Sequence, residues 1–229
     1  MFVITGDTHR DFHRLLDISD TFSINDTAII LGDAGINYYM NFKDDSLKQI
    51  LSDELNCTLF IIHGNHEKNP EYMDMNEKIW NDGIVYYESN YPKILYAKDG
   101  EIYNFDGKKV LVLGGAYSVD KYYRLAHGWQ WFDDEQMSSE VKDRCIENIK
   151  ANNWTVDIVL SHTVPYNYRP IDLFLSCIDQ STVDESMENW LQYIEDNLTY
   201  QKWYAGHYHC DRVVNKIELM FTTIKELII

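Results

Sequence analysis

A chain of 229 residues, 45% of them hydrophobic, is long enough to bury a substantial core and short enough to form one large domain or two small ones. Its formal charge of −17 excludes generic binding of DNA or RNA, which depends on Lys and Arg neutralising phosphates. No apolar run approaches the roughly 18 to 20 residues of a membrane span, and Cys57, Cys145, Cys177 and Cys210 lack the paired spacing of a disulfide framework or zinc knuckle, so a soluble, cytoplasmic protein is expected.

The first 67 residues alternate strand and helix. Phe2-Val3-Ile4-Thr5 is a short apolar run that opens the chain as a strand rather than a signal peptide, and it ends in Gly6-Asp7-Thr8-His9. Leu15, Leu16 and Ile18 give a short helical face after Asp11. Ala28-Ile29-Ile30-Leu31 ends in Gly32-Asp33, and Leu47, Ile50, Leu51 and Leu55 mark the inner face of a second helix that starts with Asp44 and Asp45. Leu59-Phe60-Ile61-Ile62 then runs into His63-Gly64-Asn65-His66-Glu67. This βαβαβ order predicts a mostly parallel sheet with right-handed crossovers.

From Gly83 to Gly115 the texture is that of short antiparallel strands, including Ile94-Leu95-Tyr96-Ala97 and a hairpin turning at Asp106-Gly107. Met137, Val141, Cys145, Ile146 and Ile149 predict a helix that begins near Asp133-Asp134-Glu135. Asp157-Ile158-Val159-Leu160 ends in Ser161-His162. Thr182 and Glu185 have capping-box spacing ahead of a stripe formed by Met187, Trp190, Leu191, Ile194 and Leu198. Lys202-Trp203-Tyr204-Ala205 runs into Gly206-His207-Tyr208-His209, and Val213-Val214, Glu218 to Phe221 and Ile224 to Ile229 read as closing antiparallel strands. There is no repeat, linker or low-complexity tract, and the polar clusters extend from Asp7 to His209, so a single domain over residues 1–229 is expected.

Five apolar strands thus end in clusters of Asp, Asn and His, the place where open α/β sheets bind ligands. Asp7 and His9, and again His207 and His209, are separated by one residue, which in an extended segment points both side chains the same way. Asp33 offers two carboxylate oxygens, suited to joining two ions about 3.5 to 4 Å apart. Asn65 adds an amide oxygen and His162 another imidazole. Imidazole nitrogen with carboxylate oxygen suits zinc, manganese, iron or nickel better than calcium.

The ordered series Gly6-Asp7-Thr8-His9, Gly32-Asp33, Gly64-Asn65-His66-Glu67, Ser161-His162 and Gly206-His207-Tyr208-His209 resembles the motif set of the calcineurin-like metallophosphoesterases. That resemblance implies an α/β fold, a four-layer αββα sandwich with two mixed sheets and a dimetal site at the strand ends. It implies that Asp7, His9, Asp33 and His209 hold one metal and Asp33, Asn65, His162 and His207 the other, with Asp33 bridging. It makes His66 the group that protonates the leaving oxygen or stabilises the transition state, oriented by Glu67. The cofactors implied are two divalent ions, manganese first in vitro, with iron, zinc or nickel as alternatives. The reaction implied is hydrolysis of a phosphate mono- or diester by in-line attack of metal-bound hydroxide, with no nucleophilic role for Ser161, Thr163 or the cysteines.

Relatives that act as Ser/Thr protein phosphatases extend the second motif to Gly-Asp-x-x-Asp-Arg, whereas this chain reads Gly32-Asp33-Ala34-Gly35-Ile36-Asn37. A phosphate-binding cation must then come from another place. The candidates are Arg124, followed by His127 and Lys121, in Tyr117 to His127, and Arg169, with Tyr166, in the segment after His162. The leading reading is a small phosphate-ester substrate; the competitors are a Ser/Thr-type protein phosphatase and a non-catalytic metal-binding scaffold. Asp172 to Asp184 reads as a cap or a subunit contact, and the sequence does not specify an oligomeric state.

Overall fold

The computed structural model of the chain describes residues 1–227. Strands β1 (Phe2–Thr5), β2 (Thr27–Ile30) and β3 (Thr58–Ile61) alternate with helices α1 (His13–Leu16) and α2 (Phe42–Glu54). The hairpin of β4 (Asn76–Trp80) and β5 (Gly83–Tyr87) and strand β6 (Ile94–Ala97) follow. Then come β7 (Ile102–Phe105), β8 (Lys108–Leu113), α3 (Lys121–His127) and α4 (Ser139–Ala151). The chain continues through β9 (Ile158–Ser161), α5 (Ser186–Asn197), β10 (Lys202–Ala205), β11 (Arg212–Val214), β12 (Ile217–Leu219) and β13 (Ile224–Glu226). Of the expected last strand, Ile228 and Ile229 lie outside the described residues.

Two sheets result. One has seven strands in the order β13-β1-β2-β3-β6-β5-β4, the other six in the order β11-β12-β10-β9-β8-β7. Both are mixed: β1, β2, β3 and β6 run parallel, as do β8, β9, β10 and β12, with antiparallel strands at the edges. Because successive strand residues face opposite ways, each strand divides between two apolar layers. Phe2, Ile4, Ile29, Leu31 and Phe60 meet Val110, Val112, Ile158, Leu160 and Tyr204 between the sheets. Val3, Ala28, Ile30, Leu59 and Ile61 pack outward on Leu15, Leu51 and Leu55, and Leu111, Val159 and Trp203 pack outward on Val141, Cys145, Leu191 and Ile194. The expected αββα sandwich follows from that alternation. Inter-sheet contact is dense and aromatic: Phe2 stacks on Phe105 at 4.2 Å, and Phe60 meets Tyr103 edge-on at 5.1 Å.

Several local expectations are corrected. Ile50 is exposed, and the inner face of α2 is Asp44, Lys48 and Leu51, continued by Leu55, because ion pairs of Asp44 with Arg10 and of Lys48 with Glu88 let polar side chains occupy it. Helix α4 starts after Ser138, whose hydroxyl accepts the Val141 N–H, so Asp133 to Glu135 belong to the preceding loop. The capping box of Thr182 and Glu185 does not form; Thr182 ends a short 3₁₀ turn and its hydroxyl donates to the Asp179 carbonyl. β12 pairs parallel with β10, and only its other neighbour, β11, is antiparallel to it. The Asp106-Gly107 hairpin is as expected, with φ of 49° and 89° at its two turn residues.

Strand register sets the stage for the site. Thr5 is level with Ile30, Ile30 with Ile61, and Ser161 with Ala205, so the strands of each sheet end together. The Trp203 indole donates to Ser161 Oγ, which donates to the Thr163 carbonyl, fixing the end of β9 where His162 emerges.

Candidate metal centre

The loops leaving β1, β2 and β3 lie against one another and against those leaving β9 and β10. His9 and Thr8 donate their backbone N–H groups to the Asp33 carbonyl, at 2.8 and 3.2 Å. The loops approach so closely that a Cβ on Gly64 would stand 2.3 Å from Asp33 N, and one on Gly32, itself at φ 90°, would stand 2.1 Å from His162 Nδ1. The same crowding bends the backbone: His9, Asp33, His207 and His209 have φ of 45°, 50°, 69° and 48°. Non-glycine residues in this region cost on the order of 1–3 kcal/mol each, and such strain clusters at functional sites. The alternating extended geometry expected for Asp7-Thr8-His9 and for His207-Tyr208-His209 is therefore absent. Asp7 and His9 still converge, whereas His207 and His209 part to opposite sides.

Asp7 anchors one side. Its Oδ1 accepts the His207 backbone N–H at 2.9 Å, leaving Oδ2 facing His209 Nε2 at 3.1 Å and His9 Nε2 at 3.7 Å. Oδ2 is fully buried without a well-formed hydrogen bond, and His9 Nε2 and His209 Nε2 are themselves only 2.8 Å apart. The His209 imidazole is pulled above its ordinary pKa by its contact with Asp7.

The other side is built around Asn65 and His162. His162 Nδ1 donates to the Leu31 carbonyl at 2.8 Å, which leaves the Nε2 lone pair facing Asn65 Oδ1 at 2.9 Å and Asp33 Oδ1 at 3.5 Å. Such a backbone-anchored imidazole is the usual arrangement of a metal-ligating histidine. His207 Nδ1 stands 3.1 Å from the same Asn65 oxygen, and burial, then His162, pushes its pKa down to about 3, so the ring is neutral. Asp33 lies between the two sides, with Oδ2 3.9 Å from His9 Nε2. Burial opposes its charge, but His162, His66 and His9 outweigh that cost and hold the carboxyl below its ordinary range.

Lone pairs from carboxylates and imidazoles that face one another at these distances fit a cation. Three sets of side chains can hold one: Asp7, His9 and His209; Asp7, Asp33 and His162; and His9, Asp33 and His66.

The Asn65 amide is oriented by a residue the sequence did not single out. Its Nδ2 donates to Ser118 Oγ at 2.9 Å, so Oδ1 must face the imidazoles. Ser118 is in turn held by Glu135, which accepts its backbone N–H at 3.2 Å. Ser118 sits in the segment noted above as a source of cations, but a lone serine there carries no recognisable signal. Ser118→Ala is expected to weaken divalent-metal affinity about 10- to 100-fold, the usual effect of removing such a support. Calorimetric titration of metal-stripped protein with Mn²⁺ checks it, and unchanged affinity would remove Ser118 from this role.

Glu67 departs from its expected position. Its carboxylate accepts the N–H groups of Gly35 and Gly64, at 2.8 and 3.0 Å, and does not reach His66, because adjacent residues leave the loop in different directions. Burial, then Asp33, raises its pKa to about 7. The partner of His66 is Arg124, whose Nη2 lies against both ring nitrogens while its Nε donates to Asp120 at 2.9 Å. Burial lowers the His66 pKa, and although Asp33 raises it, the Arg124 charge adds to the lowering.

Arg124 is buried at 1% exposure, on a short helix where a loop was expected. His127 at the end of that helix is turned away, stacked on Tyr123 at 4.0 Å and absent from the walls of the adjoining cavity. Arg169 lines that cavity, about 500 Å³ in volume, paired with Glu185 and stacked over the Tyr166 ring at 3.5 Å. Asp33, Asn65, His66, His207 and His209 form the cavity floor.

All four cysteines are free, and no helix among the described residues is long and apolar enough to cross a membrane. Comparison with curated proteins returns no match. Among solved structures, a protein of unknown function from Aquifex aeolicus is similar at 15% identity, over 74% of this chain and 81% of that one, with a TM-score of 0.37. A phosphopantetheinyl hydrolase from Mycobacterium tuberculosis is similar at 13% identity, over 96% of this chain and 87% of that one, with a TM-score of 0.41. The family model for calcineurin-like phosphoesterases matches residues 1–211, a span that takes in all five strand-end clusters, and the chain belongs to that family of metal-dependent phosphoester hydrolases.

Proposed function

We propose that the chain hydrolyses a small phosphate mono- or diester at a dinuclear centre held by Asp7, His9, Asp33, Asn65, His162, His207 and His209. The observation that carries this reading is the placement of Asp33: its two oxygens face donors from opposite sides, His162 at 3.5 Å and His9 at 3.9 Å. When bound there, divalent ions supply Lewis acidity toward phosphate oxygens and lower the pKa of an attacking water.

The chain's own residues do the rest. Asp7 and Asp33 provide the fixed negative charge that balances the ions, and the Asp33 backbone carbonyl and Glu67 hold the three loops in place. Water adds to phosphorus in line with the ester oxygen as the P–O ester bond breaks, and the proton that the water gives up ends on the departing oxygen, which leaves as an alcohol. His66 lies on the cavity floor, where the N–H of its neutral ring can donate a hydrogen bond to that oxygen as negative charge develops on it. A guanidinium only donates hydrogen bonds, so the contact of Arg124 with the His66 nitrogens favours the neutral ring, which keeps one N–H. Arg124 thereby acts as a positioning residue for His66, in addition to bringing positive charge near the phosphoryl group.

The test is hydrolysis by the Mn²⁺-loaded protein of an aryl monoester, an aryl diester, a cyclic nucleotide and a phosphopeptide. Turnover of the small esters supports the reading; a dominant phosphopeptide rate would replace it with a protein phosphatase, and metal-replete protein inert on all of them would make it a scaffold. A chelator is expected to lower the melting temperature. Ligand held at a hundred times its Kd contributes about 2.7 kcal/mol, or about 5–10 °C for a chain of this size, and a scan with and without Mn²⁺ reads it directly.

A further inference from the structure

We infer that the ester's leaving group is apolar, an aromatic ring or an alkyl chain without a second phosphate; this rests on the reading of the site given above. The cavity that opens from the candidate metal centre is far larger than a phosphoryl group, at about 500 Å³, within the range of pockets that enclose whole small molecules. Away from its floor one side of the wall is apolar: Leu173, Phe174, Leu175, Ile178 and Val183 come from one segment, and Tyr208 from the loop after β10. Phe174 and Tyr208 lie parallel with ring centres 6.2 Å apart. Leu173 and Leu175 are 45% and 60% exposed, large apolar side chains held at the rim of a polar centre.

The charged groups along this wall are already committed. Arg169 is the only Lys or Arg among the described lining residues, and it is paired with Glu185. Asp120 accepts from Arg124, and Glu188 accepts the Thr163 hydroxyl at 2.9 Å. A diphosphate or a polyanionic chain would therefore meet three carboxylates and no free cation. A sugar would set most of its hydroxyls against aliphatic carbon, with few uncharged polar side chains to meet them, an unfavourable exchange. An apolar ring or chain gains from the same surface, by about 0.8 kcal/mol per buried methylene, which is up to about fourfold in kcat/KM for each one.

The experiment uses the Mn²⁺-loaded protein and phenyl phosphates whose para substituent runs from hydrogen through methyl, propyl and hexyl, as monoesters or methyl diesters, whichever turn over faster. The phenol leaving groups have nearly constant acidity, so chemical reactivity is held level while apolar size grows. The expected result is a kcat/KM that climbs about two- to fourfold per methylene and then levels as the cavity fills, with the slope flattened in Leu175→Glu and Phe174→Ala. A flat or falling series, or a nucleoside monophosphate outpacing the hexyl compound, would overturn the inference while leaving phosphoester hydrolysis intact. No hydrolysis of any member would overturn the underlying reading itself. If Leu175→Glu changes the sedimentation coefficient but not the slope, the rim belongs to a second copy of the chain and the inference fails.

Discussion

Asp33→Asn is expected to lose both metal ions and, with them, at least about a thousandfold of hydrolysis. The substitution is nearly isosteric, and the retained amide oxygen can still accept the His66 backbone N–H now held at 2.7 Å. What changes is the second oxygen. An amide N–H₂ in its place would face His9 Nε2 and occupy the lone pair that now faces the carboxylate. The centre also loses one negative charge at the point where the two donor sets meet. Metal analysis of the purified variant, together with its circular dichroism, separates site loss from misfolding. Two ions retained at full affinity would show that Asp33 does not join the sets.

His66→Ala is expected to behave oppositely, keeping the metal content while slowing turnover by about a hundredfold or more on an alkyl ester, the usual worth of one hydrogen bond aimed at developing charge. An ester of a strongly acidic phenol, which leaves without protonation, should lose far less. His66 Nε2 lies 3.9 Å from Asp33 Oδ2, near enough to be a metal donor by distance alone. Its ring nitrogens are pressed against Arg124, however, and a guanidinium at that edge both occupies a lone pair and repels a divalent ion. The side chain is 31% exposed, so its removal leaves no buried cavity. A variant that came out metal-free would make His66 a ligand and reverse this assignment.

What was legible in the sequence is what depends on local chemistry. Runs such as Ile29-Ile30-Leu31 are buried on both faces, and their uninterrupted apolar character marks them as inner strands of a layered sheet. Residue types at the strand ends identified the chemistry, because carboxylate, amide and imidazole together at five such ends have few other uses. Geometry was not legible. The left-handed backbone at His9, Asp33, His207 and His209 arises from loops of two sheets crowding together, which no spacing rule reports. Lys48 took the inner position on α2 that Ile50 was expected to hold because its partner, Glu88, lies on a distant segment. Glu67, Ser118 and Arg124 share the same limit, since each has its function defined by a contact made in three dimensions.

The site is divided between the sheets. Asp7, His9, Asp33, Asn65 and His66 follow strands of the seven-stranded sheet, and His162, His207 and His209 follow strands of the six-stranded one. The proposed centre is therefore a vernier for the sandwich: a slip of one sheet over the other displaces three of its seven donors relative to the other four. A misplacement of about 1 Å can cost on the order of a hundredfold in rate. Selection acting on turnover thus reaches side chains far from the chemistry, such as Phe2 against Phe105 and Phe60 against Tyr103, because the fit of those rings holds the two halves of the centre in mutual calibration.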